Sequence, residues 1–84
     1  MNHYVYILNS IKYPEKFYVG YTQDIQSRLA THNAGGSIHT VKDKPWIMIT
    51  YTAFVDKNIA FDFEKYLKSH SGRAFASKHF SPRI

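Results

Sequence analysis

Two short segments near the start of the chain constrain the fold most, because both are rich in β-branched and aromatic residues. They are HYVYIL at residues 3–8 and KFYVGYT at residues 16–22, and turn-forming Asn9, Ser10 and Pro14 lie between them. This composition favours two strands joined as a hairpin, with a loop longer than the tightest types. Both faces of these strands are apolar, so we expect the sheet to be covered on both sides.

After the second strand the hydrophobic period changes from two residues to 3.6, which predicts a helix with Asp24 as its N-cap. Ile25, Leu29 and His32 lie within one arc of the helical wheel, and Arg28 lies at the edge of that arc. The sequence NAGG at residues 33–36 ends the helix, because glycine is the residue most favoured just after a helix C-terminus.

The second half of the chain predicts one more strand and two helices. WIMITYTAFV at residues 46–55 has the composition of a strand, Asp56 or Asn58 would cap the second helix, and residues 73–80 would form a short last helix. The apolar face of the second helix would contain Ile59, Ala60, Phe63, Tyr66, Leu67 and His70. The predicted fold is a small α/β (α+β) domain of order β-β-α-β-α-α, with a three-stranded, mainly antiparallel sheet flanked by helices.

The composition is that of a folded globule. The chain has 84 residues, 44% of them hydrophobic and 17% aromatic, so we expect one domain over residues 1–84. It has no cysteine, which excludes a disulfide framework and a cysteine-based zinc site. It has neither a signal-like apolar segment after Met1 nor a long apolar run, so we expect a cytoplasmic protein with no membrane partner.

The charge of the chain is positive and unevenly distributed. Eleven lysines and arginines face six acids, and the segment from Lys65 to Ile84 contains five basic residues and no acid. Small basic proteins bind polyanions, and nucleic acid is the commonest such partner. A modest positive charge can also serve only solubility, so charge alone does not decide between the two interpretations.

The sequence lacks the common catalytic patterns. It has no phosphate-binding glycine loop, no His-Glu-x-x-His and no Gly-x-Ser-x-Gly. Asp62 and Glu64 diverge on a helix, so they cannot share a metal ion and only one of them can belong to a site; Glu64 lies at one edge of the apolar face and Asp62 at the opposite edge. The remaining candidates for chemistry are Tyr6, Tyr18, Arg28, His32 and Glu64. Taken singly, each is more often a structural residue than a functional one.

Taken together and in order, these residues resemble the GIY-YIG nuclease superfamily. YVY at residues 4–6 and YVG at residues 18–20 occupy the places of the two triplets that name the family. YTQDIQSRLATHN resembles the helix in which an arginine is followed four residues later by histidine or tyrosine, and AFDFEKYLK resembles the helix with the metal-binding glutamate. The first triplet has Tyr4 in place of its glycine, and Tyr21 stands where excision-repair relatives have a lysine.

The resemblance implies a divalent-metal-dependent endonuclease that hydrolyses phosphodiester bonds in DNA, in repair or recombination. Glu64 would hold a single Mg²⁺ or Mn²⁺, and Arg28 would clamp the phosphate with its planar guanidinium. Tyr18 or Tyr6 would orient or deprotonate the attacking water, with Arg28 and the metal lowering the pKa of the tyrosine, and His32 would share the proton transfer or bind phosphate. The residues expected to contact nucleic acid are Lys16, Gly20, Arg28, Lys42, Lys44 and Arg73.

Three alternatives stay open at this point. The domain could be a degenerate GIY-YIG domain that binds nucleic acid without cutting it, or an adaptor that binds another protein through its aromatic surface. An RNA-recognition fold is suggested by VYILN at residues 5–9, but KFYVGY matches the second signature of that fold poorly and no helix intervenes. The form of the substrate (branched, nicked or linear DNA, or RNA) is also open.

Overall fold

The computed structural model describes residues 2–80, and the order of elements in these residues is the predicted one. The elements are β1 (His3–Ser10), β2 (Phe17–Thr22), α1 (Ile25–Asn33), β3 (Trp46–Phe54), α2 (Lys57–Leu67) and α3 (His70–His79), with a 3-10 turn at Val41–Asp43. Among the described residues, no helix combines the length and the hydropathy that crossing a membrane requires.

The three strands form one antiparallel sheet in the order β2-β1-β3. β1 is the central strand, and its residues Tyr4–Asn9 lie between β2 and β3: Tyr6, for example, is opposite Gly20 on β2 and opposite Tyr51 on β3. The Asn9 side chain donates to the backbone oxygens of Pro14 and Lys16, which closes the long hairpin loop. Because β2 pairs with β1 alone, it is an edge strand of the sheet.

The sheet is covered on both faces, as the apolar character of both strand faces predicts. One face packs against α2 and α3, where Val5 and Ile7 meet Ala60 and Leu67. The other face packs against α1, where Tyr6, Leu8 and Trp46 form a second buried cluster with Leu29 and Ile25 at its margin. The alternation of side chains along β1 divides these two clusters, because successive residues point to opposite faces.

Helices α1 and α2 begin where the capping residues predict, whereas α3 begins earlier. The Asp24 carboxylate accepts from the Ser27 amide, and the Asp56 carboxylate accepts from the amides of Asn58 and Ile59, which decides between the two candidate caps for α2. Ser69 caps α3, so this helix begins at His70, three residues before the predicted start.

Part of the predicted apolar face of α2 is wrong. Ala60 and Leu67 are buried, but Ile59 and Tyr66 are largely exposed, and His70 belongs to α3. The reason is that α2 is contacted by the sheet and α3 only along a narrow stripe, so residues at the margins of its apolar arc stay in water.

The segment between α1 and β3 is fixed by buried hydrogen bonds. The Asn33 side chain donates to the Trp46 carbonyl and accepts from the Trp46 amide, and the Trp46 indole N–H donates to the Thr40 carbonyl. These bonds anchor the loop to the end of β3. They also hold the Thr40 hydroxyl against α1, which matters for the site described next.

Candidate active site

The site is built around Tyr6 on the central strand, whose side chain is fully buried (0% exposed). Its ring lies across Gly20 of the edge strand. A Cβ atom at position 20 would clash with the Tyr6 hydroxyl and with the adjoining ring carbon. Gly20 is thus required here by the close approach of the Tyr6 side chain, which lies across the edge strand.

Three side chains join Tyr6 in a continuous hydrogen-bond chain. The Tyr6 hydroxyl lies 2.8 Å from His32 Nε2, and His32 Nδ1 lies 2.7 Å from the Thr40 hydroxyl. Arg28 Nε donates to the same Tyr6 hydroxyl at 3.3 Å. Arg28 and His32 are four residues apart on α1 and therefore project from one face of it, which is why both reach Tyr6.

Burial determines the protonation states of His32 and Tyr6. It lowers the pKa of His32 below its ordinary value, and the charge of Arg28 lowers it further, so His32 is neutral near pH 7. Burial also raises the pKa of Tyr6, and this outweighs the opposing effect of Arg28. Arg28 does lower the pKa of Tyr6, as expected, but burial raises it by more, so Tyr6 is held as a neutral phenol. The hydrogen bond with Tyr6 raises the pKa of Arg28, so Arg28 stays charged.

Tyr18 differs from Tyr6 in its exposure. It lies on the edge strand, is half-buried, and packs its ring 5.1 Å from the His32 ring and 6.4 Å from the Tyr6 ring. A hydrogen bond between Tyr18 and Arg28 contributes to the raised pKa of Arg28. The sequence did not distinguish the two tyrosines, whereas burial does: only Tyr18 is open to a ligand.

Glu64 lies on α2, away from the Tyr6 hydrogen-bond chain in sequence but not in its electrostatic effect. Its charge contributes to the raised pKa of Tyr6, after burial and the Tyr18 charge, so the carboxylate and the phenol share one electrostatic environment. Lys68 Nζ lies 3.2 Å from Glu64 Oε2, with the Lys68 side chain 55% exposed and the Glu64 side chain 22% exposed. Such an exposed pair on a helix contributes only about 0.3–0.5 kcal/mol, so a cation of higher charge can displace Lys68.

The donor set fits a weakly held hard cation. No group of three or more His, Asp or Glu side chains that could enclose a metal ion occurs within residues 2–80. Glu64 alone offers a carboxylate at the site, while Asp62 is exposed on another side of α2. Mg²⁺ is commonly held by one or two carboxylates together with water and substrate phosphate, and this arrangement matches that pattern.

The predicted nucleic-acid contacts fall into three groups. Lys16 forms an ion pair with Asp43 at 3.7 Å, so it lies beside Lys42 and Lys44 at the loop before β3. Arg73, on α3, lines a cleft next to β2 together with Lys68. Arg28 and Gly20 belong to the Tyr6 cluster itself. Arg83, another basic residue of the C-terminal segment, lies outside the described residues.

Sequence reasoning missed two residues of the site. Thr40 is fully buried and is the partner of His32, and Lys68 is the partner of Glu64. Lys68 had a local signal, since it follows Glu64 by four residues on a helix. Thr40 had none: its position is fixed by the bonds between Asn33, Trp46 and the intervening loop.

Comparison with known proteins agrees with this geometry. The family model described as the GIY-YIG catalytic domain matches residues 2–78. The structure-specific endonuclease subunit SLX1 of Debaryomyces hansenii is 41% identical over 71 residues, which cover 76% of this chain and 20% of that protein. A UPF0213 protein of Lacticaseibacillus paracasei is 37% identical over 67 residues, covering 75% of each chain.

A solved structure has the same fold. The solution NMR structure of the UPF0213 protein BH0048 from Bacillus halodurans superposes with a TM-score of 0.59 at 32% identity, covering 98% of this chain and 89% of that one. The fold and the site define the class of catalytic domains found in endonucleases. Within that class, the chain belongs to the GIY-YIG family. It spans only a fifth of the length of the SLX1 relative.

Proposed function

We propose that the chain is a divalent-metal-dependent endonuclease that hydrolyses phosphodiester bonds in DNA, in repair or recombination. The observation that carries this proposal is the cluster of Tyr18, Arg28, Tyr6 and His32, with the charge of Glu64 acting on Tyr6. A carboxylate, a permanent cation and phenols are groups that phosphodiester hydrolysis can use.

Each residue of this cluster has a role that follows from its environment. Arg28 is charged and half-buried, so it binds the scissile phosphate and stabilises the charge that develops in the transition state. Tyr18 faces the ligand and orients the attacking water. Tyr6 and neutral His32 form a buried hydrogen-bond pair behind Tyr18 that can move a proton away from the reacting atoms.

Glu64 is the residue that would hold the cation, either Mg²⁺ or Mn²⁺. When bound, a divalent ion supplies Lewis-acid stabilisation of the phosphate oxygens. Lys68 would then be released from Glu64 and would be free to contact the substrate backbone. The lysines at positions 16, 42 and 44 and Arg73 would contact phosphates further along the DNA.

The proposal is tested by incubating the purified protein with labelled branched, nicked and linear DNAs in Mg²⁺, Mn²⁺ or EDTA. Metal-dependent cleavage of any of these substrates supports it. Affinity should also fall with salt, with a slope of log affinity against log salt near −0.9 per phosphate contacted in duplex DNA. A salt-independent interaction would argue against nucleic acid as the ligand.

Glu64→Gln is the sharpest variant for this test, because it removes one charge and leaves the shape of the side chain nearly unchanged. It should retain the fold and DNA binding, while cleavage falls by at least about a hundredfold. Asp62→Asn is the matched control, since it removes the same charge two residues away from an exposed position on another side of α2. Equal loss in both variants would indicate general electrostatics and would refute a metal site at Glu64.

The second candidate is a GIY-YIG domain that binds DNA without cutting it. The Lys68–Glu64 ion pair favours this alternative, because it neutralises the proposed metal ligand. Salt-sensitive DNA binding with no cleavage in either metal, and identical behaviour of wild type and Glu64→Gln, would establish it.

A further inference from the structure

Four residues form one stripe along α2: Lys57, Phe61, Glu64 and Lys68. They follow each other at intervals of three or four residues, so they lie within about 60° of the helical wheel. The centre of the Phe61 ring is 4.7 Å from that of the Tyr21 ring, so the stripe lies beside β2. Glu64, the proposed metal ligand, therefore has a lysine on each side of it along the helix.

The two lysines of the stripe differ in their partners. Lys68 pairs with Glu64, whereas Lys57 forms no salt bridge with any residue between positions 2 and 80. Lys57 Nζ lies 5.5 Å from the centre of the Phe61 ring, and this cation–π contact supplies no hydrogen-bond acceptor. The neighbouring acid, Asp56, accepts from two amides in the first turn of α2 as the N-cap. The charge of Lys57 is therefore available to an anion.

A series of aromatic contacts holds the ring that lies against Lys57. Tyr21 packs edge-on against Phe61, and the His3 ring stacks on Tyr21 with 5.9 Å between ring centres. His3 Nδ1 is also 2.6 Å from the Tyr21 hydroxyl. Phe61 remains 40% exposed, and Lys57 is exposed. The ammonium is thus held at the surface by a supported ring, so less conformational freedom is lost when it binds a ligand.

Lys57 lies close to the proposed catalytic residues along both α2 and β2. Tyr21 directly follows Gly20, and Phe61 precedes Glu64 by about one turn of α2. Seven residues of helix separate Lys57 from Glu64, which is about 10 Å at 1.5 Å per residue. One strand of duplex DNA advances by about 3.4 Å per nucleotide, so a phosphate at Lys57 would be about three nucleotides from a phosphate at Glu64.

We propose that Lys57 binds a phosphate of the DNA strand that is cut, and that the rings of Phe61 and Tyr21 position its ammonium. The strand then runs along the stripe of α2, with the scissile phosphate at Glu64. A contact of this kind uses phosphate oxygens only, so it depends on neither the sequence nor the pairing of the bases. The inference rests on the proposed nuclease function and adds a binding residue to it.

The salt dependence of DNA binding tests the contact. Affinity for a labelled branched DNA with duplex arms is measured by fluorescence anisotropy at several salt concentrations, in EDTA so that cleavage does not interfere. In Lys57→Gln the slope of log affinity against log salt should be shallower by about 0.9, because one phosphate contact is lost. Lys65→Gln is the matched control, since Lys65 is an exposed lysine next to Glu64 in sequence but outside the stripe, and its slope should equal that of the wild type.

The charge can also be restored chemically at the same position, because the chain has no cysteine of its own. Lys57→Cys should show the same shallower slope as Lys57→Gln. Alkylation of this cysteine with 2-bromoethylamine adds an ammonium group at nearly the length of lysine and should restore the slope. Alkylation with iodoacetamide adds a neutral amide and should leave the slope shallow.

The ring has a separate test, because it acts through Lys57. Phe61→Leu should weaken binding about twofold to fivefold and keep the slope of the wild type, since the charge stays and only its support is lost. Phe61→Tyr should retain the affinity of the wild type. Tyr66→Leu, at a ring that is also 40% exposed but lies on another side of α2, should bind like the wild type. Circular dichroism verifies that each variant is folded.

Several results would overturn this inference. An unchanged slope in folded Lys57→Gln, an equal change in Lys65→Gln, or a slope that 2-bromoethylamine does not restore would each refute the contact at Lys57 and leave the nuclease function intact. Affinity in Phe61→Leu equal to that of the wild type would refute the positioning role of the ring. A wild-type protein that binds no nucleic acid would refute both the contact and the nuclease function.

Discussion

Replacing Thr40 by valine tests whether the buried hydrogen bonds from Thr40 through His32 to Tyr6 hold the side chains of the site in place. Thr40 and His32 are both fully buried, and the Thr40 hydroxyl is 2.7 Å from His32 Nδ1. Valine keeps the shape of threonine and leaves the bond from the Trp46 indole to the backbone oxygen of residue 40 in place. The variant therefore removes one partner of a buried ring nitrogen and little else.

The cost follows from that loss. A buried polar group without a partner costs about 1–3 kcal/mol. In a domain of this size each kcal/mol shifts Tm by roughly 4–8 °C, so Tm should fall by roughly 5–20 °C. Cleavage, assayed at a temperature where the variant is folded, should also decrease, because the ring that supports Tyr6 is no longer held from behind.

Thr31→Val is the matched control for this substitution. The Thr31 hydroxyl donates to the Ser27 carbonyl at an exposed position on α1, where water can replace it. Its Tm should change by only about 1–4 °C, as is usual for surface substitutions. A Thr40→Val protein whose melting curve coincides with that of the wild type would show that the bond to His32 contributes nothing to the site.

Three further predictions concern the Tyr6 cluster. Arg28→Ala should reduce cleavage by about 10²–10³-fold. It should cost only about 0.5–1.5 kcal/mol of stability, because Tyr6 keeps its hydrogen bond to His32. Loss of the folded state in thermal melts would show that Arg28 is a structural residue. Gly20→Ala should destabilise by about 1–3 kcal/mol and lose activity, since the new methyl clashes with Tyr6, and an unchanged melting temperature would contradict this. Burial lowers the pKa of His32, so the unfolded state binds a proton at this residue more readily than the folded state does. The free energy of unfolding should therefore fall as pH decreases below about 6.5. Urea titrations at several pH values should show this decrease in the wild type and not in His32→Gln.

Local signals in the sequence were sufficient to predict most of the fold. Strand composition located β1, β2 and β3, and the carboxylates of Asp24 and Asp56 marked the helix starts, because strand preference and capping depend on residues a few positions apart. The start of α3 was missed because a local signal was misleading. Ser69 is a good N-cap, but the glycine in the sequence SHSG suggested a break instead.

The candidate site depended on a different kind of information. Tyr6 and His32 are 26 residues apart, and nothing in their own surroundings indicates that they touch. Their pairing was predictable only through the resemblance to the GIY-YIG family. Thr40 lay beyond that resemblance as well, because its contact with His32 depends on how the loop before β3 is anchored to Asn33 and Trp46.

The position of Gly20 explains how groups from both faces of one sheet can act together. Tyr6 projects to the face covered by α1, whereas Glu64 lies on α2, which covers the other face. A continuous sheet would separate them. β2 is an edge strand, and the residue opposite Tyr6 on it has no side chain, so the Tyr6 ring lies across β2, and the charge of Glu64 contributes to its raised pKa. Any side chain at position 20 would displace Tyr6, so the proposed cooperation of Tyr6 with Glu64 requires glycine at this position.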